Sequence, residues 1–303
     1  MKIPFAFAIG TMLLMTATRL FAEPPLPTLA NVAYGTHPRQ VLDFWKAPSS
    51  QPTPLLFVIH GGAWMTGDKA KPDFLQQCLD AHISIVSINY RFISDANEAR
   101  VWPPVQWPLQ DSARALQFVR SKAAEWNIDP KRIGASGGSA GGFSCLWLAF
   151  HPDMADPKSD DPVARQSTRL CCVLAMVPQT TLDPQLMKQW IPNMDYGQHA
   201  FALPAYADFL KDRQRLMPWI DRFSPYTLAT RDDPPVYLFY DSVPALGQPQ
   251  KDPCHSVNLG VTFAEHLKQV GISVELNYPN ARDVKHPDLF SFLADNLKLP
   301  QVK

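Results

Sequence analysis

Eight of the 14 glycines fall in two short stretches, and each stretch carries residues able to do chemistry. The first holds Gly61, Gly62 and Gly67 around His60-Gly61-Gly62-Ala63-Trp64; the second runs from Gly134 to Gly142 around Ser136 and Ser139. Gly137-Gly138-Ser139-Ala140-Gly141 has G-x-S-x-G spacing. Between a strand and a helix, that spacing holds a serine on a sharp turn, with its hydroxyl exposed at the helix N-terminus where the dipole favours developing negative charge. Ser136 fits the same spacing, but it lies inside the preceding strand pattern, so Ser139 is the expected nucleophile. A phosphate-binding loop is the competing use of such glycines. Neither G-x-x-x-x-G-K-[ST] nor G-x-G-x-x-G in a first βαβ unit is present. Glycines after a buried strand, as at His60-Gly61-Gly62, let backbone N–H groups turn toward a ligand, which is what an oxyanion hole requires.

These residues need elements to hold them. Leu55–Ile59 and Ile83–Ile88 are apolar runs of the kind that form strands buried on both faces. Arg132–Ser136, Leu170–Met176, Val236–Tyr240 and Ser273–Tyr278 extend the series, and Asn31–Tyr34 and Gln40–Trp45 precede it. Helical patterns cover 69–81, 108–126, Ala140–Phe150, 184–190, 204–213, the segment after Ser256 and Pro287–Leu297. In 108–126, Ala113, Leu116, Val119, Ala123 and Trp126 recur at helical spacing, and Asp111 near its start is expected to be structural. Strands alternating with helices predict a mostly parallel sheet covered on both faces. Residues 151–225, rich in Pro, Asp, Gln, Trp and Met, break the rhythm and read as a helical insertion that either walls a pocket or only stabilises.

The motif set His60-Gly-Gly-Ala-Trp64, Gly67-Asp68-Lys69, Asn89-Tyr90-Arg91 and Gly137-Gly-Ser-Ala-Gly141 resembles α/β-hydrolase fold esterases. It is most similar to the hormone-sensitive-lipase-like and bacterial feruloyl or acetyl-xylan esterase groups, over about residues 30–298. The resemblance implies an α/β-hydrolase fold and oxyanion donors at Gly61 or Gly62 and at Ala140. It also implies a triad in the chain order Ser, acid, His. That order points to His286, after the strand ending at Tyr278. His255 is the rival; it comes early in the order and adjoins the helix start at Ser256. Asp252 is the first choice of acid, ahead of Asp241 and Asp283. Trp64, beside the glycine loop, is the best candidate for a substrate wall, ahead of Trp102, Trp107, Trp190 and Tyr196. The implied function is a serine carboxylic-ester hydrolase for small acyl esters, such as acetyl or feruloyl groups on polysaccharide. A serine peptidase of the same fold and a non-catalytic binding protein are the alternatives.

Composition bounds the rest. Lys plus Arg number 28 and Asp plus Glu 28, with 46% hydrophobic residues. That is a globular chain without an electrostatic footprint for nucleic acid or anionic membranes. Residues 1–22, with Lys2, an apolar run to about Ala17 and small residues near Ala22, read as a signal peptide, so an exported domain over 23–303 is expected, periplasmic or secreted, without a later membrane segment. Most of the five cysteines are expected to be buried thiols, with room for one bridge. No Cys or His pair has metal-ligand spacing, so no metal and no cofactor are expected.

Overall fold

All seven residues of β3 (Thr53–Ile59) and all five of β4 (Ser84–Ile88) are buried, because the sheet is covered on both faces. Alternation then divides their side chains. Leu55, Phe57 and Ile59 enter one core layer, and Leu56 and Val58 enter the other. The computed structural model describes residues 24–299, so the expected signal segment lies outside the described residues.

In chain order, β1 (Leu29–Ala33), β2 (Val41–Trp45) and β3 precede α1 (Leu75–Asp80), and β4 precedes α2 (Ile93–Glu98), α3 (Gln106–Ser121) and α4 (Ala123–Trp126). β5 (Ile128–Gly138) runs into α5 (Ala140–Phe150), followed by β6 (Cys172–Met176). Next come α6 (Pro184–Trp190), a 3-10 turn (Gln198–Phe201), α7 (Tyr206–Phe223), α8 (Pro225–Leu228) and β7 (Val236–Phe239). A 3-10 turn (Pro253–His255), α9 (Val257–Val270), β8 (Val274–Asn277) and α10 (Leu289–Asn296) close the chain. The strand order is β1-β2-β4-β3-β5-β6-β7-β8. β2 runs antiparallel to β1 and β4, and every pairing from β4 to β8 is parallel. All eleven residues of α5 are buried, as befits a helix enclosed on every side rather than an amphipathic surface helix.

Three expectations shift. The 69–81 helix shrinks to α1: Pro72 removes a backbone donor and Phe74 takes a left-handed φ of 62°, so regular helix starts only at Leu75. The 108–126 helix divides at Lys122 into α3 and α4. The 151–225 insertion is not one excursion, because β6 sits inside it and pairs with both β5 and β7. The long excursion is therefore 177–235, carrying α6, α7 and α8. No helix among the described residues is long and apolar enough to cross a membrane.

Candidate active site

β5 ends at Gly138, and α5 begins at Ala140 with Ser139 as its N-cap residue. Ser139 adopts φ 52° and ψ −124°, a sparsely populated conformation that costs on the order of 1–3 kcal/mol and needs outside support. Support comes from two backbone bonds: Ser139 N–H donates to Met176 O at 2.9 Å, and Phe143 N–H donates to Ser139 O at 2.9 Å. The turn is tight enough to require glycine on both sides. A Cβ on Gly137 would lie 2.5 Å from the Gly141 carbonyl carbon, and one on Gly141 would lie 2.1 Å from Ile59 O. Ser136, the alternative, is fully buried within β5, between Val58 and Leu174 of the neighbouring strands.

Ser139 Oγ lies 2.9 Å from Nε2 of His255, and His255 Nδ1 lies 2.8 Å from Asp252 Oδ2. An ionised carboxylate only accepts, so Nδ1 carries the proton and Nε2 is left as an acceptor facing the serine hydroxyl. Burial alone would raise the Asp252 carboxyl. The hydrogen bonds from His255 and Cys254 and the nearby imidazole outweigh it, and hold the carboxyl below its ordinary value. Cys254 Sγ donates to the second oxygen, Oδ1, at 3.3 Å, while burial and that same carboxylate push its thiol up to about 12.

His255, not His286, thus reaches the serine, and the reason is local. The loop after β7 is long, and its last turn, Pro253–His255, is 3-10. Residues three apart eclipse in that geometry, so Asp252 and His255 present their side chains side by side. Pro253 sits at the first position, where its fixed φ suits the turn. His286 is engaged elsewhere. Its Nδ1 lies 2.6 Å from Glu275 Oε1 of β8, its Nε2 lies 3.2 Å from Asp295 Oδ2 of α10, and its ring meets Phe292 edge-on. It borders a separate cavity of about 890 Å³ with His82 and Lys285. Asp241 and Asp283 are both exposed, and neither hydrogen-bonds an imidazole. The signal missed in the sequence is the Asp-Pro-x-His run itself, which is one 3-10 turn long.

The first glycine loop lies against the elbow: a Cβ on Gly61 would sit 2.7 Å from Gly138 O and 3.5 Å from Ser139 Cβ. The Tyr90 hydroxyl lies 2.9 Å from His60 O and 3.1 Å from Gly61 O, and it donates toward both. In a trans peptide the N–H points opposite to the C=O, so fixing these two carbonyls directs the Gly61 and Gly62 N–H groups away from Tyr90. Gly62 has φ 98° and accepts from Met65 N and Thr66 N in a closed turn. Burial lowers the His60 imidazole, which stacks on Tyr90 at 4.3 Å. The Ala140 N–H is in the first turn of α5, where no intrahelical acceptor exists.

Trp64 does not line the cavity at Ser139. It is fully buried, edge-on to Phe143 at 5.1 Å, with Nε1 donating to Ser144 Oγ at 2.9 Å. A left-handed φ of 57° after Gly62 turns its indole inward, so it anchors the loop from beneath. The cavity is about 380 Å³ and is bordered by His60, Gly61, Asp68, Asp73, Ser139 and His255 among others. Two ion pairs fix the flanking motifs. Lys69 Nζ meets buried Asp43 at 2.8 Å, and Asp111 takes the Arg91 guanidinium, the Arg91 N–H and Gln40, so Asp111 is structural. The 177–235 excursion braces the Asp252–His255 loop. Asn193 exchanges two hydrogen bonds with the Gln250 backbone, and Gln179 Nε2 donates to Cys254 O at 2.6 Å. All five cysteines are free thiols.

A parallel sheet with a serine at the sharp turn between an inner strand and the helix packed behind it defines the α/β-hydrolase fold. Residues 42–246 match the BD-FAE family model, and the chain belongs to that family. The "Probable carboxylic ester hydrolase LipM" of Mycobacterium tuberculosis is 28% identical over 250 residues, covering 79% of this chain and 52% of LipM. The chain thus spans about half the length of that relative. An acetyl ester-xyloside bifunctional hydrolase from Caldicellulosiruptor lactoaceticus superposes with TM-score 0.58 at 25% identity, over 84% of this chain and 81% of that one. A truncated carbohydrate esterase from gut microbiota gives TM-score 0.65 at 22% identity, over 91% and 99%, and shares the fold.

Proposed function

We propose that the protein is a serine carboxylic-ester hydrolase that removes small acyl groups, acetyl in particular, from carbohydrate. The observation that carries this is the continuous Ser139–His255–Asp252 hydrogen-bond chain at the α5 N-terminus. His255 Nε2 takes the proton from Ser139 Oγ as the oxygen attacks the ester carbonyl. Asp252 holds the imidazole in the tautomer that makes this possible and stabilises its charged form. The amides of Gly61, Gly62 and Ala140 receive the oxyanion; losing one such donor costs about 2.7–4 kcal/mol of barrier. His255 then protonates the leaving alcohol and activates water against the acyl-enzyme.

The cavity supports the substrate class. Its lining includes Asp68, Lys71 and Asp73, groups suited to sugar hydroxyls, and no Phe, Tyr or Trp is among the described lining residues. An aromatic acyl group such as feruloyl lacks a stacking partner there, which favours acetyl. The acetyl ester-xyloside hydrolase named above supports the same choice. Residues 1–22 support export of this enzyme, which N-terminal sequencing of extracytoplasmic protein beginning near Glu23 would test. The central test is hydrolysis of p-nitrophenyl acetate and of acetylated xylan, beside labelling by a fluorophosphonate. Turnover with labelling at Ser139 is expected. Cleavage of aminoacyl p-nitroanilides without ester turnover would instead make it a peptidase, and a folded protein that neither labels nor turns over would be a binding protein.

A further inference from the structure

The 3-10 turn that aligns Asp252 with His255 also brings a third donor to the same point. The Cys254 Sγ, His255 Nδ1 and an Asp252 carboxylate oxygen all lie within 4.8 Å of one another. Sequence spacing alone conceals this, because a metal site within four consecutive residues needs one particular backbone turn. Zinc takes thiolate at about 2.3 Å and imidazole or carboxylate at about 2.0–2.1 Å in a tetrahedron, which sets ligand-to-ligand separations of roughly 3.4–3.6 Å. The observed separations are 3.7 Å from Sγ to Nδ1 and 3.3 Å from Sγ to Oδ1. Nδ1 lies 2.8 Å from the other carboxylate oxygen, Oδ2, so the carboxylate must turn to offer one oxygen to both partners, and its contact with Nδ1 must open by roughly 0.6 Å. Asp252 can yield that much, since its side chain is 62% exposed.

We propose that Asp252, Cys254 and His255 form a reversible binding site for Zn²⁺ or a similar thiophilic divalent cation, and that its occupation stops the enzyme. The braking consequence rests on the catalytic reading above; the binding does not. The cation replaces the thiol proton of Cys254, which is released to solvent. On His255 it takes the Nδ1 lone pair, so the neutral ring carries its one proton on Nε2. Nε2 then donates toward Ser139 Oγ instead of accepting from it, and the serine proton has no base to go to. A fourth position is left for water, as in zinc sites with three protein ligands.

The test titrates Zn²⁺ calorimetrically into chelator-washed full-length protein and uses Co²⁺ as a spectroscopic probe. One Zn²⁺ per chain is expected, and Co²⁺ should give a thiolate-to-metal charge-transfer band with strong tetrahedral visible absorption. Cys254→Ala should abolish that band and weaken Zn²⁺ by roughly a hundredfold or more, beyond the 10–100-fold typical of outer-shell changes. Cys171→Ser, which alters the other partly exposed thiol, should change neither. Ser139→Ala should bind Zn²⁺ as the wild type does, which separates the site from turnover. Wild-type p-nitrophenyl acetate hydrolysis should fall with the calorimetric affinity and return with a chelator. A missing thiolate band, Zn²⁺ binding indifferent to Cys254→Ala, or full turnover at saturating Zn²⁺ would each overturn the proposal. A wild type without any ester turnover would remove the catalytic reading, and the binding arms would still decide the metal site.

Discussion

Two histidines compete for the role of base, and replacing each should give opposite phenotypes. His255→Ala removes the only imidazole within hydrogen-bond distance of Ser139 Oγ among the described residues, a contact of 2.9 Å. Loss of a triad base costs roughly 10⁴-fold or more in kcat, or about 5 kcal/mol of barrier. His255 is partly exposed and packs in a surface loop, so thermal stability should hardly move. His286→Ala does the reverse. It deletes the 2.6 Å contact to Glu275 and the 3.2 Å contact to Asp295. Glu275 has a side chain only 13% exposed and would keep just the His286 backbone N–H at 2.8 Å. A partly unsatisfied buried carboxylate costs about 1–3 kcal/mol, and each kcal/mol lowers Tm by roughly 2–4 °C for a chain near this size. The assay pairs kcat/KM on p-nitrophenyl acetate with a thermal melt for both variants. If His286→Ala lost turnover at unchanged Tm while His255→Ala kept it, the triad drawn from the geometry would be wrong.

Asp252→Asn should lower kcat by roughly 10²–10⁴-fold, at or below the 10⁴ seen for a fully buried triad acid, because its carboxylate is largely solvated; wild-type kcat in this variant would refute the role. Gly141→Ala forces a Cβ to 2.1 Å from Ile59 O, so the elbow must distort; fluorophosphonate labelling should be lost and stability should fall by about 1–3 kcal/mol or more, as read by denaturant melts. Burial holds His199 at about 4. An unfolded histidine titrates near 6.5, so the unfolded chain binds more protons between those values and stability rises with pH there. Acidification from about pH 6.5 to 4 should therefore cost about 3 kcal/mol from this group, with a limiting slope of about 1.4 kcal/mol per pH unit, and His199→Gln should flatten that part of the curve. Trp64→Phe should lower Tm by removing the bond to Ser144 while leaving KM unchanged, since the indole faces the core.

The fold was largely legible because its strands are apolar runs bounded by turn residues. Each predicted strand from Leu55 to Tyr278 overlaps a strand of the sheet. The elbow was legible for a stronger reason. Gly137 and Gly141 have no tolerance for a Cβ, so the backbone geometry is written directly into residue type. The two failures have a common physical source. Trp64 stands beside the glycine loop in sequence, but a left-handed φ directs its ring into the core, and side-chain direction after a turn is not visible in residue order. His286 stands where chain order puts a base, but Glu275, Asp295 and Phe292 hold it in another site.

Placing acid and base within one 3-10 turn changes what the rest of the molecule must do. When the two groups come from separate loops, the sheet and both loops must agree before the pair forms. Here Asp252 and His255 are oriented by a single turn, and only the distance from that turn to Ser139 depends on tertiary structure. That distance is held by the 177–235 excursion: Asn193 clamps Gln250, Gln179 reaches Cys254 O, and Trp190 O accepts from Gly247 N and Asn258 Nδ2. Each of these anchors comes from the excursion, and they grip the loop and the first turn of α9 that follows it. The excursion is therefore a brace for the loop that carries His255, and the proposed mechanism asks nothing of the loop after β8. Loosening the brace should consequently act through His255: Asn193→Ala and Gln179→Ala should lower kcat more than they raise KM, and the loss should vanish in a His255→Ala background, where there is no base left to misplace.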